Sequence, residues 1–362
     1  MLEQLKKIAP GVIVAIGVAF VAQFLEGVLP IHLIGGSVIA LFIGMVINSF
    51  CKMDSLKPGL KFTSKKILKF AIILLGASLS IQTILTVGRM SLMVMVFTLL
   101  TCFGGGYFIG KALGLDWKLS NLISAGTGIC GGSAIAAIAP VIDAEDKQIA
   151  YAMSATFIFD MIMIIAFPFL GELLGLSDMA YGLWTGTAVN DTSSVVAAGY
   201  AYSEAAGDFA TMVKLTRTLS IIPTVLVFSF INIRLKRKEG IKASAVNYTK
   251  YEVSQTDKIE EFNKTSNIDS KKVSVLSIFP WFIVGFIGLA VINSFGVIPE
   301  NVSMGAKELS KFLMVAALAA IGMGTSFKDM KKSGTKPMLH GFIISALVVI
   351  VAIVVEWCMG IV

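Results

Sequence analysis

Gly126-Thr127-Gly128-Ile129-Cys130-Gly131-Gly132-Ser133 and Gly186-Thr187-Ala188-Val189-Asn190-Asp191-Thr192-Ser193 align at a constant offset of 60 residues, and Ala137 then matches Ala197. Each lies within an otherwise apolar segment. In the first, four glycines fall within seven residues and Pro140 follows. Glycine costs about 1 kcal/mol relative to alanine in a helix interior, so this stretch should break a helix. In the second, the run Asn190 to Ser194 is wholly polar. Backbone groups exposed to lipid cost several kcal/mol each, so a break at membrane depth survives only where protein or a watery cavity satisfies it. The pair therefore predicts two interrupted elements meeting in one polar place.

The surroundings are those of a membrane. The 362 residues are 56% hydrophobic and 15% charged, with a mean hydropathy of +0.83. Soluble domains carry roughly 25% charged residues. The apolar content supplies on the order of ten spans at about 20 residues each. This excludes a soluble enzyme, a disordered chain, a coiled coil and a single-span receptor. The four cysteines form no CxxC pair and the two histidines are far apart, so no metal site is expected. Cys102, Cys130 and Cys358 read as small buried side chains.

Eleven apolar segments are predicted, at 9–28, 31–50, 67–87, 90–113, 119–142, 148–171, 179–202, 212–234, 275–296, 309–327 and 338–360. The chain reads as one integral membrane domain, 1–362. Residues 9–234 hold eight segments and both broken motifs, 235–274 form a cytoplasmic loop, and 275–360 are the last three spans. The net charge of +7 is concentrated in loops. Lys52, Lys57, Lys61, Lys65 and Lys66 face one acid, Asp54; Lys328, Lys331, Lys332 and Lys336 face Asp329. The long loop, which includes Asp257, Glu260 and Glu261, has ten basic and six acidic residues from Arg234 to Lys272. Placing all three basic loops in the cytoplasm puts the N-terminus there too. The basicity is thus explained without nucleic acid.

A second self-similarity links segments two to four with nine to eleven. Ile47-Asn48-Ser49-Phe50 matches Ile292-Asn293-Ser294-Phe295, each preceded by Phe-Ile-Gly; Lys69-Phe70 with Gly76-Ala77-Ser78-Leu79 matches Lys311-Phe312 with Gly324-Thr325-Ser326-Phe327. An odd number of segments, seven, separates the copies, so they are inverted, the usual construction of secondary transporters. Segments five and seven would run parallel as full spans; inversion is recovered if both are re-entrant hairpins. The sequence leaves crossing broken helices and hairpins both open.

The breaks are candidate ligand sites. Half-helices beginning near Ser133 and Ser193 point positive N-terminal ends inward, where N–H groups and hydroxyls hold oxyanions. The binding set is Gly128, Cys130, Gly131, Gly132, Ser133, Asn190, Asp191, Thr192, Ser193, Lys214 and Arg217. Lys214 and Arg217, on one face of segment eight, either neutralise an anion, pair with Asp160 or Asp191, or anchor at the interface. Asp160 lies deep in segment six, and an intramembrane carboxylate is functional by default. Asp160 and Asp191 are the candidate coupling residues for Na+ or H+. Ser154 and Thr156 match Thr216 and Thr218 in the following segments. Glu26 and Glu356 read as interfacial.

Residues 126–137, Leu-Trp-Thr-Gly-Thr-Ala-Val-Asn-Asp-Thr-Ser-Ser-Val-Val-Ala-Ala (183–198) and Val-Lys-Leu-Thr-Arg-Thr (213–218) resemble those of the bacterial membrane proteins typified by YeiH, over residues 10 to 360. That family carries a sulfate-exporter label. It is similar, more distantly, to the cation–proton antiporter and anion transporter group, which includes bile acid and sodium–proton transporters such as NhaA. The resemblance implies an inverted-repeat fold with a panel and a core domain moving as an elevator. Asn190 stands where relatives often carry His before Asp, which weighs against proton coupling there. The 235–274 loop is longer than typical, and the sulfate label does not fix the substrate.

The expectation is an all-α polytopic protein of the bacterial inner membrane with 9–11 transmembrane segments. It would be a secondary transporter of a small anion, such as sulfate or an organic sulfonate or carboxylate, coupled to a cation. It has no cofactor, no catalytic residue and no metal site, its partners are the anion and the lipid bilayer, and a homodimer is compatible with it. The alternatives are a channel, or an intramembrane aspartyl enzyme built on Asp160 and Asp191; no GxSxG, HExxH or nucleotide-binding loop is present.

Overall fold

The computed structural model describes residues 2–28, 36–50, 55–250, 281–324 and 334–362. His32, Cys51, Lys52, Asp54, the Thr325-Ser326-Phe327 repeat, the 328–332 cluster and the loop beyond Lys250 lie outside the described residues. Every regular element described is a helix. Helix α1 is Leu2–Val28 and α2 is Gly36–Phe50; α3 (Lys57–Phe62) runs through a π-turn into α4 (Leu68–Gly76). In the same way α5 (Ile81–Leu100) runs through a π-turn into α6 (Gly106–Ala112). Next come α7 (Trp117–Ala125), a π-turn at Gly126–Cys130, α8 (Gly132–Ile138) and α9 (Asp146–Leu173). Helices α10 (Asp178–Ala188), α11 (Thr192–Tyr202), α12 (Glu204–Thr218) and α13 (Ile221–Lys250) follow. The chain ends with α14 (Trp281–Ser294), α15 (Glu300–Gly324) and α16 (Thr335–Cys358). Five helical stretches are long and apolar enough to cross a membrane: Lys6–Val28, Ile81–Ala112, Lys147–Leu173, Glu204–Leu235 and Thr335–Cys358. The protein is an all-α, multi-pass membrane protein.

Several boundaries differ from the sequence reading. The third span starts at Lys57 and ends at Gly76, ahead of the expected 67–87, because Ser80 caps α5 by accepting a hydrogen bond from the Thr83 N–H at 3.1 Å. The apolar run crosses that turn without a break in hydropathy. The tenth begins at Glu300, directly after Pro299 and well before 309. The helix expected to end at 234 continues to Lys250, since the charged stretch after it holds no proline and is rich in Lys and Arg, both good helix formers.

The helices sort into two groups by packing. In one, α2 packs on α15 and α14 packs on α4, with α1 against α2, α3 and α15. These pairings exchange under the repeat that relates α2 to α14 and α4 to α15. The backbones come very close: a methyl group at Gly322 would overlap the Leu41 carbonyl, and one at Gly44 the Ala319 carbonyl. Gly322→Val should therefore force α2 and α15 apart, at about 1–3 kcal/mol. A drop of several degrees in the thermal unfolding midpoint in detergent is expected, against little change for Gly324→Val, whose site is open. Equal midpoints for the two variants would contradict this crossing.

The other group holds α5–α6, α7–α8, α9, α10–α11, α12 and α16. Here the two broken segments are re-entrant hairpins. Lys118 at the start of α7 donates to the Asp143 carbonyl after α8 at 2.8 Å, and Gln148 donates to the Asp116 carboxylate at 2.8 Å. Both ends of residues 116–145 therefore lie together. Likewise Ser203 donates to Asp178 at 2.5 Å, Tyr202 donates to the Leu176 carbonyl at 2.5 Å, and the rings of Tyr181 and Tyr202 stack at 3.9 Å. This closes residues 177–203. Helix α9 joins the two mouths; its 28 residues span about 42 Å, more than the ~30 Å hydrocarbon layer. The mouths thus open on opposite faces. The 11-residue arms of the second hairpin are each about 16 Å long, half the layer.

Candidate functional site

The hairpins meet tip to tip. In the first, the backbone turns at Gly131 (φ 62°, ψ −132°) between the π-turn and α8. In the second, Val189 is extended and Asp191 caps α11, its Oδ2 accepting the Ser193 N–H at 2.9 Å and the Ser193 hydroxyl. A Cβ at Gly131 would stand 2.9 Å from Asp191 Oδ1, so the tips touch.

Three charged residues on two helices hold this junction. Asp160 of α9 accepts the Asn190 N–H on Oδ1 and the Asp191 N–H on Oδ2, both at 2.9 Å. Lys214 of α12 donates to the Val189 carbonyl at 2.9 Å. One turn further along α12, Arg217 donates from Nε to the Gly128 carbonyl at 2.7 Å, and from its two terminal nitrogens to the Thr187 and Thr127 carbonyls. A single guanidinium therefore bridges both hairpins. Asp160, Lys214 and Arg217 are each at most 1% exposed. The logic is that of helix ends: the π-turn that closes the first arm and the end of α10 present partly negative carbonyls, which take cations, and the N–H groups ahead of α11 take a carboxylate. The cations thus serve the backbone, and neither makes an ion pair with Asp160 or Asp191 among the described residues. Arg217 and Lys214 are also not interfacial anchors.

The last helix reaches both tips. Ser345 of α16 lies 3.4 Å from Asn190 Nδ2 and 3.5 Å from the Thr127 hydroxyl. Asn190 Oδ1 is buried with no hydrogen-bond partner among the described residues. Trp184 donates to the Val349 carbonyl at 2.9 Å, and His340 Nε2 sits 3.0 Å from the Gly106 carbonyl and 3.1 Å from the Ser120 hydroxyl. Ser345 escaped the sequence reading; its one signal is a hydroxyl standing alone in the apolar run 342–355.

The predicted binding residues divide by exposure. Gly128, Cys130, Gly131, Asn190 and Ser193 are buried within the junction, whereas Ser133 is exposed and Gly132, Asp191 and Thr192 are partly open. Cys102 and Cys130 are buried as expected, but Cys358 is exposed. Glu356 is fully buried, and its two oxygens have no partner among the described residues. The α16 helix turns that face inward, beside Ala352, because the side chains at 352 and 356 stack one turn apart.

An all-helical, multi-pass membrane protein with two opposed re-entrant hairpins is the class these features define. Residues 10–341 match the family described as Conserved hypothetical protein 698, and the chain belongs to that family, whose type is YeiH. The chain is 53% identical over 360 residues to a UPF0324 membrane protein of Clostridium tetani, covering 98% of this chain and 99% of that protein. It is 38% identical over 353 residues to one of Fusobacterium nucleatum (91% and 92% covered) and 37% over 362 residues to one of Streptococcus pneumoniae (99% of each).

Proposed function

We propose that the chain is a secondary transporter of a small anion, sulfate or an organic sulfonate or carboxylate, working by alternating access and coupled to a cation. The observation that carries this reading is the tip-to-tip junction. Two hairpins of opposite entry meet at mid-membrane, sealed on their inner side by Arg217, Lys214 and Asp160 and open at Gly132, Ser133, Asp191 and Thr192. The Ser133 and Thr192 hydroxyls are donors for an oxyanion, and the buried Lys214 and Arg217 offset the charges of Asp160 and Asp191 in a low dielectric. Asp160 has both oxygens committed to backbone N–H groups, so the coupling role falls to the partly open Asp191. The same commitment argues against an aspartyl enzyme, whose two carboxyls must share a proton. The group holding the hairpins would move as an elevator against the group built on α2 and α15.

With the basic loops in the cytoplasm, the first hairpin enters from the cytoplasmic side of the bacterial inner membrane and the second from outside. Proteoliposomes loaded with sulfate or a short alkanesulfonate, under imposed sodium or proton gradients, test the function. Ser133→Ala and Thr192→Ala should each cut coupled flux about tenfold while leaving thermal stability within about 2 °C, each removing one hydrogen bond to a charged ligand. Wild-type flux in both variants would sink the assignment of this junction. Turnover far above carrier rates would make the protein a channel.

A further inference from the structure

The repeat motif Lys311-Phe312 has no part in the junction, yet Lys311 heads a charge cluster that ties the two helix groups together. Lys307 and Lys311 lie one turn apart on α15; Glu204 and Asp208 lie one turn apart on α12. Lys307 Nζ is 2.8 Å from Asp208 Oδ2 and 3.8 Å from Glu204 Oε1, and Lys311 pairs with Glu204 Oε1. Tyr200 of the second hairpin donates to the other Asp208 oxygen at 2.5 Å. Helix α12 packs on α10, α11 and α5, while α15 packs on α2, α4 and α1, so these ion pairs cross from one group to the other.

The two arms are unequal. The Glu204 side chain is 58% exposed, and its pairs are screened by solvent. The Asp208 side chain is only 10% exposed, and it holds one lysine and one phenol. Removing one partner of a withdrawn pair leaves an uncompensated charge, so this contact resists opening more than a surface bridge does. The cluster also has no mirror image. Lys69, the counterpart of Lys311 in the inverted repeat, stands 5.4 Å over the ring of Phe282 on α14, inside its own group. Lys69 makes no ion pair among the described residues. The two groups are thus fastened in this way on the face where the second hairpin opens.

The fastening reaches the junction through one rigid element. Asp208 and Arg217 are nine residues apart on α12, about 14 Å along the axis. Ser203, which caps α12 by accepting the Ala206 N–H, also ties the two ends of the second hairpin. Any displacement of α12 against α15 breaks the Lys307–Asp208 contact and carries both hairpin tips with it.

We propose that Lys307, Lys311, Glu204, Asp208 and Tyr200 form an ionic gate that holds the junction closed toward the second hairpin's face. The proposal rests on the alternating-access reading above. Its test is thiol access, which needs no substrate. Cys51 and Cys358 are replaced by serine, Thr192→Cys is introduced, and a membrane-impermeant maleimide is added to right-side-out and inside-out vesicles. Lys307→Gln and Asp208→Asn should raise the labelling rate from the second hairpin's face at least about fivefold and lower it from the other. The exchanged pair Lys307→Asp with Asp208→Lys should return the rates toward the parent. Labelling unchanged in the monodisperse Lys307→Gln protein, or increased equally from both faces, would overturn the gate. Absent anion flux with the labelling pattern intact would instead remove the anion as the substrate and leave alternating access and its gate standing.

Discussion

Arg217→Ala is expected to be the most damaging single substitution outside the apolar core. The side chain donates to the carbonyls of Thr127, Gly128 and Thr187, all in a buried place at the middle of the hairpin pair. Truncation leaves three acceptors short of this donor. An orphaned buried polar group costs about 1–3 kcal/mol, which puts the loss at roughly 3–9 kcal/mol. Water entering the space left by the guanidinium brings the figure toward the lower end. Even that is a large share of a stability of about 5–15 kcal/mol. Arg217→Lys tests the geometry. It keeps the charge, but an ammonium is a point donor and cannot present the planar fork that spans two hairpins. The expected order of thermal midpoints in detergent is wild type, then Lys, then Ala, with Ala recovered in much lower yield. Midpoints within about 2 °C of one another for all three would mean that Arg217 does not hold the tips.

In the sequence, Lys214 and Arg217 are two cations near a polar run, open to an anion, to pairing with Asp160 or Asp191, or to a place at the interface. The folded chain shows that the nearer demand comes from the protein. Breaking the two arms in a membrane strands carbonyls at their ends, and each break needs a donor that the break itself cannot provide. The breaks were legible because Gly131, Gly132 and the Asn190 to Ser194 run violate the apolar pattern. The partners of the breaks were not, because a side chain's hydrogen bond to a backbone carbonyl 90 residues away leaves no local signature.

The choice between crossing helices and hairpins was closed to the sequence for a related reason. It turns on whether Lys118 stands beside Asp143, and Ser203 beside Asp178, which no periodicity or charge rule reports. The inverted relation of α2 and α4 to α14 and α15 was visible, since it is carried by repeated words such as Phe-Ile-Gly and Lys-Phe. The gate contacts were not, because Glu204, Asp208, Lys307 and Lys311 look like ordinary charges near span ends until α12 and α15 are set side by side.

Gly131→Ala should separate the tips without removing any hydrogen-bonding side chain. Two penalties coincide there. The backbone sits at φ 62° and ψ −132°, outside the conformations open to L residues. A residue held in such a conformation costs on the order of 1–3 kcal/mol. The new methyl group would also stand 2.9 Å from Asp191 Oδ1, 3.0 Å from its Cβ and 3.1 Å from its Cα. The last of these is backbone, so rotating the carboxylate away cannot relieve it. The second hairpin must retreat, which strains the Asp160 clamp on the Asn190 and Asp191 N–H groups. Gly132→Ala, one residue on, is the matched comparison: its Cβ would meet nothing within 4 Å, and alanine suits the first turn of α8. The expected result is a midpoint several degrees lower for Gly131→Ala and within about 1 °C of wild type for Gly132→Ala. Hydrogen exchange read at peptides covering 186–195 should speed up in the first variant alone. Equal behaviour of the two variants would mean that the tips are not in contact, and with that the shared junction would lose its basis.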